Sequence, residues 1–136
     1  MSKLIYNQLA NHKLFNKSVK FGLERIKQAL NLLGNPERKL KGVISVIGES
    51  GKVTTLYSLK SFIEANNQTV TKHISPSLRD IKERLYMGDR YLSHKQIKQT
   101  IKQIEKLKIP LTILECLTLV YIINAWKINT DYNIME

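Results

Sequence analysis

The feature that most constrains the fold is a strand-like run followed at once by a glycine-lysine pair and a helical pattern. Residues 42 to 48 read GVISVIG, a short β-branched stretch ending in glycine, which is typical of a buried strand. Residues 49 to 55 read ESGKVTT. The apolar residues that follow share one helical face: Leu56, Leu59 and Ile63. A strand that passes through a glycine-containing turn into a helix predicts a βαβ unit.

The segments on either side of this unit continue the alternation. A helix is predicted over residues 18 to 33, with Ser18 as its N-cap, and the GNP of residues 34 to 36 ends it. Residues 68 to 75, QTVTKHIS, alternate as a strand does.

Two further helices and a last strand complete the pattern. Ser93 with Gln96 three residues later forms a capping box before an apolar stripe, which predicts a helix from Ser93 onwards. Residues 112 to 127 predict another helix, and residues 131 to 136, DYNIME, a strand. The order of elements predicts an α/β fold with a mostly parallel sheet flanked by helices.

Composition narrows the partners and the compartment. The chain has 136 residues, about one domain, is 43% hydrophobic and carries a formal net charge of +11. Lysines outnumber arginines, and it is arginine that reads phosphate and base edges with a rigid fork, so we do not expect a nucleic-acid partner. Cys116 is the single cysteine, which excludes an internal disulfide and a cysteine-based metal site and fits a cytoplasmic protein.

The most apolar run does not predict a membrane span. Residues 111 to 126 are fewer than the about 20 residues needed to cross a bilayer, and Glu115 interrupts them. We expect this run to form a helix that is buried in the core of a soluble protein. Glu115 would then be a hydrogen-bonded carboxylate in the core or at an interface. The N-terminal residues lack the apolar stretch of a signal peptide, so no membrane partner is expected.

The turn after the first predicted strand has the residues of an anion-binding loop. Gly48 and Gly51 let the backbone approach phosphates, and the free amides of the following helical turn favour negative charge. Lys52 can reach the terminal phosphate oxygens, and a hydroxyl from Thr54 or Thr55 can hold Mg²⁺. A glycine-lysine pair alone is a weak signal, since a surface turn with a solvated lysine has the same letters.

Motifs on both sides of the loop carry more information than the loop itself. They are GLERI at 22 to 26, LGNP at 33 to 36, ISPSL at 74 to 78, ERLYMGDRYLS at 83 to 93, LECLT at 114 to 118 and the final DYNIME. In this order and spacing the chain resembles the folylpolyglutamate synthase/dihydrofolate synthase family, a branch of the Mur-type amide ligases. That family's loop, G-T-N-G-K-G-S-T, aligns with residues 48 to 55, so its serine or threonine belongs two places after the lysine.

The resemblance implies the architecture. We expect a P-loop-containing, Mur-ligase-type α/β domain preceded by N-terminal helices, with a helical segment over residues 1 to 40 and an ATP-binding domain over residues 41 to 136. Family members are longer, so we expect this domain to be incomplete and without the C-terminal domain. A C-terminal part supplied by another chain is one way to complete it.

The resemblance also implies an activity and its residues. ATP would activate a carboxylate of folate or dihydropteroate as an acyl phosphate, which the amine of L-glutamate then attacks. The ATP-binding residues would be Gly48, Gly51, Lys52, Thr54 and Thr55. The Mg²⁺ ligands would be Thr54, Ser75 and Glu136. The substrate loop would contain Pro76, Ser77 and Leu78.

Four positions depart from the family pattern. Glu49 and Ser50 replace Thr-Asn, and a carboxylate beside polyphosphate is unfavourable unless it points away. Val53 replaces glycine, which requires a negative φ there. Ser77 replaces the usual histidine. Two readings stay open: a ligase of the folate-glutamylating type, and a degenerate, non-catalytic nucleotide-binding or interaction module.

Overall fold

A four-stranded sheet lies at the centre of the computed structural model, which describes residues 7, 10, 11, 22 to 77 and 79 to 136. The predicted N-cap Ser18 and Leu78 of the predicted substrate loop lie outside the described residues. The strands are β1 (Val43–Ser45), β2 (Val70–His73), β3 (Leu85–Met87) and β4 (Tyr132–Met135). Their order across the sheet is β1-β4-β2-β3.

The sheet is mainly parallel, as predicted. β4 pairs in parallel with β1 on one side and with β2 on the other, and only β3 runs antiparallel, beside β2. Within residues 22 to 77 and 79 to 136, four helices surround it: α1 (Glu24–Leu32), α2 (Lys52–Ala65), α3 (His94–Glu105) and α4 (Ile113–Ile128). Two short 3₁₀ turns, Pro36–Lys39 and Ile81–Arg84, join these elements. The predicted α/β class with a mostly parallel, helix-flanked sheet is confirmed.

The two faces of the sheet bury separate apolar clusters because side chains alternate along each strand. On one face, Val70 and Ile134 pack with Leu56 of α2. On the other, Leu85 and Met87 pack with residues of α1, α3 and α4. The helices therefore form two layers that cover the sheet from opposite sides.

Capping boxes place the starts of the last two helices. The Ser93 hydroxyl accepts the amide of Gln96, whose side chain accepts the Ser93 amide in return, as the sequence predicts. Thr112 and Glu115 repeat this arrangement at the start of α4. Glu115 also pairs with Arg25 of α1 at 3.3 Å, so the expected hydrogen-bonded carboxylate is found between two helices.

The prediction of a helix over residues 18 to 33 is wrong at its start. α1 begins at Glu24, and Gly22 before it has a φ of +141°, which no helical residue adopts. The predicted end is confirmed. Gly34 has a φ of +81° and donates its amide to the Asn31 carbonyl at 3.1 Å, as in a Schellman motif.

β3 is an element that the sequence pattern does not predict. Its three residues are all buried, so they show no polar alternation, and the run is too short to separate a strand from a loop. Its pairing with β2 nevertheless covers one edge of the parallel strands. The motif ERLYMGDRYLS therefore contains a strand in its first half.

A buried hydrogen-bond chain fixes the lateral register of the parallel strands. Asn133 in β4 donates its side-chain amide to the Lys41 carbonyl at 2.7 Å and accepts the Thr71 hydroxyl at 2.6 Å. The Thr71 oxygen also lies 2.8 Å from the Tyr121 hydroxyl of α4. Three elements, β4, β2 and α4, and the segment before β1 are thereby connected through polar side chains inside the fold.

β2 also buries a lysine. Lys72 is 0% exposed, and its ammonium has no hydrogen-bond partner among the described residues. It lies 3.4 Å from the centre of the Tyr57 ring of α2. Burial lowers the pKa of Lys72, and the Tyr57 side chain opposes this shift only in part. A cation–π contact therefore compensates incompletely for the lost hydration.

We expect Lys72→Met to raise the free energy of unfolding at neutral pH by about 1–3 kcal/mol, because it removes an unpaired buried cation. The pKa of Lys72 is lower in the folded chain than its ordinary value of 10.5, so the unfolded chain binds the proton more tightly. Wild-type stability should therefore rise as the pH rises through the folded-state pKa towards 10.5, and Lys72→Met should lack this rise.

Urea unfolding at neutral and at alkaline pH measures both effects. Lys98→Met is the matched control, because Lys98 is an exposed lysine of α3. Equal pH dependence in the wild type and in Lys72→Met would show that Lys72 is hydrated in solution.

Candidate functional site

Three segments of the chain meet at the carboxyl edge of the parallel strands. β1 leads into the loop of residues 46 to 51, β2 leads into the turn at Ser75, and β4 is followed by Glu136. Because β1, β4 and β2 are parallel neighbours, these segments lie side by side. This edge is where ligands bind in open α/β sheets.

Glu136 connects the other two segments through its carboxylate. Its Oε1 atom lies 3.5 Å from the Lys52 ammonium, and its Oε2 atom accepts the Ser75 amide at 3.0 Å. The Glu136 amide donates to the His73 carbonyl at 3.1 Å, which continues the pairing of β4 with β2. The structure thus brings together three of the residues that the sequence singles out, Lys52, Ser75 and Glu136.

The loop before α2 is open where its glycines lie. Gly48 has a φ of +148° and Gly51 a φ of +76°, and no heavy atom lies within 4 Å of the position that a Cβ would take at either residue. The first backbone hydrogen bond of α2 runs from Thr55 to Gly51 at 2.9 Å. The amides of the residues between them have no acceptor within the helix and are available to an anion.

Lys52 folds back across this loop. Its ammonium donates to the Gly48 carbonyl at 2.7 Å and to the Glu49 carbonyl at 3.3 Å. The charge is therefore held over the open side of the loop, between two carbonyl groups and the Glu136 carboxylate. Such a cation can meet an incoming anion without a large movement of the helix.

The two predicted threonines differ in their surroundings. The Thr55 hydroxyl donates to the Gly51 carbonyl at 3.0 Å, within the helix. Thr54 is exposed on the outer face of α2, where it lines a shallow depression with Tyr57, Ser58, Ser61 and Phe62. Residues two apart on a helix point in different directions, so Thr54 and Lys52 do not share a face. The assignment of both threonines to a ligand stays a prediction.

The turn after β2 is held by an arginine. The Ser75–Pro76 peptide bond is cis. Arg84 donates from Nη1 to the Ser75 hydroxyl at 3.3 Å and from Nε to the Ser77 hydroxyl at 3.4 Å. Its guanidinium is buried, with the residue 8% exposed. The sequence places Arg84 within a longer motif but does not predict its burial, because a single basic residue before an apolar run gives no signal of burial.

His73 lies beside this turn and packs on α4. Its ring stacks on Tyr121 with centroids 5.0 Å apart, and its Nδ1 atom lies 3.0 Å from the Arg84 carbonyl. Burial lowers the pKa of His73 to about 4, so the ring is uncharged at neutral pH. The contacts of His73 are those of a packing residue that supports the turn.

Two of the four departures from the family pattern, Val53 and Glu49, are explained by the structure. Val53 lies inside α2, where φ is negative, and its side chain packs against the cluster around Leu56. The condition for a valine at this place is therefore met. Glu49 is exposed and uses its backbone carbonyl, not its carboxylate, towards Lys52.

The described residues limit the kinds of site that are possible. Among them, no group of three or more His, Cys, Asp or Glu side chains is arranged to hold a metal ion by itself. A divalent cation at this edge would depend on a ligand for some of its oxygen contacts, as Mg²⁺ commonly does with phosphates. In the same part of the chain, no helix has the length and apolarity to cross a membrane.

Comparisons with known proteins agree with these observations, although no protein-family model matches the chain. The dihydrofolate synthase/folylpolyglutamate synthase of Bacillus subtilis (strain 168) is 29% identical over 94 residues, which are 69% of this chain and 22% of that protein. E. coli FolC in complex with DHPP and ADP superposes with a TM-score of 0.88 at 28% identity, over 98% of this chain and 32% of that chain.

A third relative is a bifunctional folylpolyglutamate synthase/dihydrofolate synthase with Mn, AMPPNP and L-glutamate bound. It superposes with a TM-score of 0.81 at 29% identity, over 88% of this chain and 30% of that chain. This chain therefore spans about a third of the length of these solved relatives. The resemblance inferred from the motifs, to an N-terminal portion of such proteins, is confirmed.

We expect Val53→Gly, which restores the family residue, to lower the free energy of unfolding by about 1–2 kcal/mol. Glycine costs helix stability, and the valine contacts with the α2 cluster are lost. Thermal unfolding measures the change. Ser58→Gly, at an exposed position of the same helix, reports the helix-propensity part together with one exposed hydrogen bond, from the Ser58 hydroxyl to the Thr54 carbonyl at 3.0 Å. A Val53→Gly variant as stable as the wild type would contradict the packing described for Val53.

Proposed function

We propose that this chain is the nucleotide-binding portion of an ATP-dependent ligase that adds L-glutamate to a folate or dihydropteroate carboxylate. The observation that carries the proposal is the meeting of Lys52, Ser75 and Glu136 around an open glycine loop at the carboxyl edge of the sheet. The similarity to folylpolyglutamate synthase/dihydrofolate synthase supports it.

The residues present fit a nucleotide. A β-carbon at Gly48 or Gly51 would stand in the open space above the loop, which is where phosphates would approach the free amides of α2. Lys52 would neutralise the terminal phosphates. Two relatives support this choice of ligand, since one was solved with ADP and the other with AMPPNP and Mn.

The residues also fit a divalent cation such as Mg²⁺. Glu136 offers a carboxylate and Ser75 a hydroxyl, both hard oxygen donors, and phosphates and water would supply the other contacts. When bound, the metal neutralises charge on the phosphates. We assign Ser75 and Glu136 to this role, and Thr54 stays a prediction because it is exposed on the outer face of α2.

The chain's own contribution to the reaction is positioning and charge neutralisation. The ammonium of Lys52 sits between Glu136 and the loop, so phosphate oxygens can replace carboxylate and carbonyl contacts one for one. An acyl-phosphate route needs no nucleophile from the protein in this portion. Pro76 and Ser77, in the turn after β2, are proposed to face the carboxylate substrate.

We propose that residues 1 to 40 form an N-terminal segment and residues 41 to 136 the nucleotide-binding domain. Because this chain matches only about a third of the solved relatives, we propose that complete activity needs the parts of a ligase that it does not match. A cytoplasmic location stays a prediction.

We expect Lys52→Ala to weaken ATP binding by about 10- to 100-fold, because a charge-assisted contact to phosphate is lost. Isothermal titration with ATP and Mg²⁺ measures the affinity. Lys98→Ala, at an exposed lysine of α3, removes the same charge far from the loop and should bind as the wild type does. Equal affinity for the wild type and Lys52→Ala would favour a degenerate module without a working phosphate loop.

We also expect the purified chain to bind nucleotide without turnover. Incubation with ATP, Mg²⁺, L-glutamate and dihydropteroate or tetrahydrofolate should give no glutamate-dependent ADP release. Release of ADP that depends on glutamate would show that these 136 residues suffice for the reaction.

A further inference from the structure

We propose that Arg84 is a positioning residue that sets the Ser75 hydroxyl towards the divalent metal of a bound nucleotide. The inference rests on the proposed function, since it concerns the same edge of the sheet. It assigns a role to a residue whose side chain donates to the hydroxyls of Ser75 and Ser77. Arg84 would act through Ser75 and Ser77, not by touching the nucleotide.

The backbone of Arg84 is fixed against the end of β2. Arg84 closes the 3₁₀ turn Ile81–Arg84 and directly precedes β3. Its carbonyl accepts the Ile74 amide at 3.3 Å and lies 3.0 Å from Nδ1 of His73. The side chain therefore starts from a point that cannot shift relative to β2 without breaking the sheet pairing.

The side chain spans the turn with two different nitrogen atoms. Nη1 donates to the Ser75 hydroxyl at 3.3 Å, and Nε donates to the Ser77 hydroxyl at 3.4 Å. These two donors belong to one planar, rigid guanidinium. Both ends of the Ser75–Pro76–Ser77 turn are thus held by one side chain, that of Arg84, a residue that is 8% exposed.

The chemistry of the contact leaves part of the Ser75 hydroxyl available. A guanidinium only donates, and a hydroxyl oxygen has two lone pairs, so Arg84 uses one and leaves the other. The orientation of the bound lone pair fixes that of the remaining one. A lysine keeps the positive charge but cannot hold two donors at a fixed separation in one plane.

The turn is connected to the loop through Glu136. The Ser75 amide donates to Glu136 Oε2 at 3.0 Å, and Glu136 Oε1 lies 3.5 Å from the Lys52 ammonium. Loosening the turn would therefore displace the two oxygen donors assigned to the metal. It would leave Lys52 on the Gly48 carbonyl, a contact that lies within the loop itself.

Because Arg84 is expected to affect the metal donors and not Lys52, the affinity for ATP is compared with and without a metal ion. Affinity for ATP is measured by titration with a chelator present and again with Mn²⁺, and the ratio is the metal enhancement. We expect Arg84→Lys to reduce the metal enhancement by about 10-fold or more, as loss of partners that orient metal ligands commonly does. The affinity for metal-free ATP should stay unchanged, and a general loss of structure would not give this pattern.

Two further variants sharpen the result. Ser77→Ala removes one end of the fork and should give a smaller loss of metal enhancement. Ser75→Ala should lose the enhancement, and Arg84→Lys combined with it should cause no additional loss, because the two residues act in series. If Arg84→Lys does not fold, Ser77→Ala decides, and an unchanged enhancement there overturns the inference.

The outcomes separate this inference from the proposed function. Lys52-dependent ATP binding with full metal enhancement in Arg84→Lys overturns the role of Arg84 and leaves the proposed function standing. Wild-type chain that binds ATP no better than Lys52→Ala overturns both, and it is recognised before any Arg84 variant is compared. A reduced enhancement with unchanged metal-free affinity supports the inference.

Discussion

The buried amide of Asn133 is the contact on which the geometry of the site depends. It ties β4 to the segment before β1 through the carbonyl of Lys41, two residues ahead of that strand, and to β2 through the Thr71 hydroxyl. A slip of one residue in β4 would exchange its two faces and break both bonds. It would also move Glu136 by about 3.3 Å, the rise per strand residue, which exceeds the tolerance of its contact with Ser75. The polar core thus determines where the carboxylate of the site stands.

The side chains at the carboxyl edge form a connected series of contacts. Lys52 faces Glu136, Glu136 accepts the amide of Ser75, and Arg84 donates to the Ser75 hydroxyl. The Glu136 carboxylate is therefore held by the Lys52 ammonium and the Ser75 amide before any ligand arrives. An incoming phosphate then needs to compete only for Lys52, since Arg84 is directed at the turn. Preorganisation of this kind reduces the rearrangement that accompanies binding.

How much the sequence predicts depends on the range of the interaction. The start of α3 is predicted because Ser93 and Gln96 are local partners, and the end of α1 because Gly34 is a local signal. The start of α1 is not, since nothing in the letters shows that Gly22 takes a φ of +141°. The burial of Lys72 is also hidden, because a lysine in an alternating strand normally indicates an exposed face.

In the candidate site, too, local features are predicted from the sequence and long-range contacts are not. The strand, loop and helix around Lys52 follow from periodicity alone, but the neighbours of Lys52 do not. Glu136 and Ser75 are separated by 61 positions, and their contact depends on β4 lying beside β2 in the sheet. Periodicity gives the elements without their order, so the sequence suggests this grouping only through the family resemblance. Arg84 belongs to one of the motifs of that resemblance, but its contacts follow from neither route, because they depend on a turn that only the folded chain forms.

The backbone of the structure shows what the departures from the family loop affect. Glycine at the place of Val53 is not required by φ, because this residue is the second of α2 and helical. The valine adds contacts to the α2 cluster, so the exchange affects the packing of the helix more than the path of the loop. The Thr54 hydroxyl lies on the outer face, among Tyr57 and Ser58. In the function that we propose, phosphate binding therefore depends on the loop glycines and on Lys52, and the Ser75 hydroxyl, held by Arg84 beside Glu136, takes the metal role that the resemblance gives to Thr54.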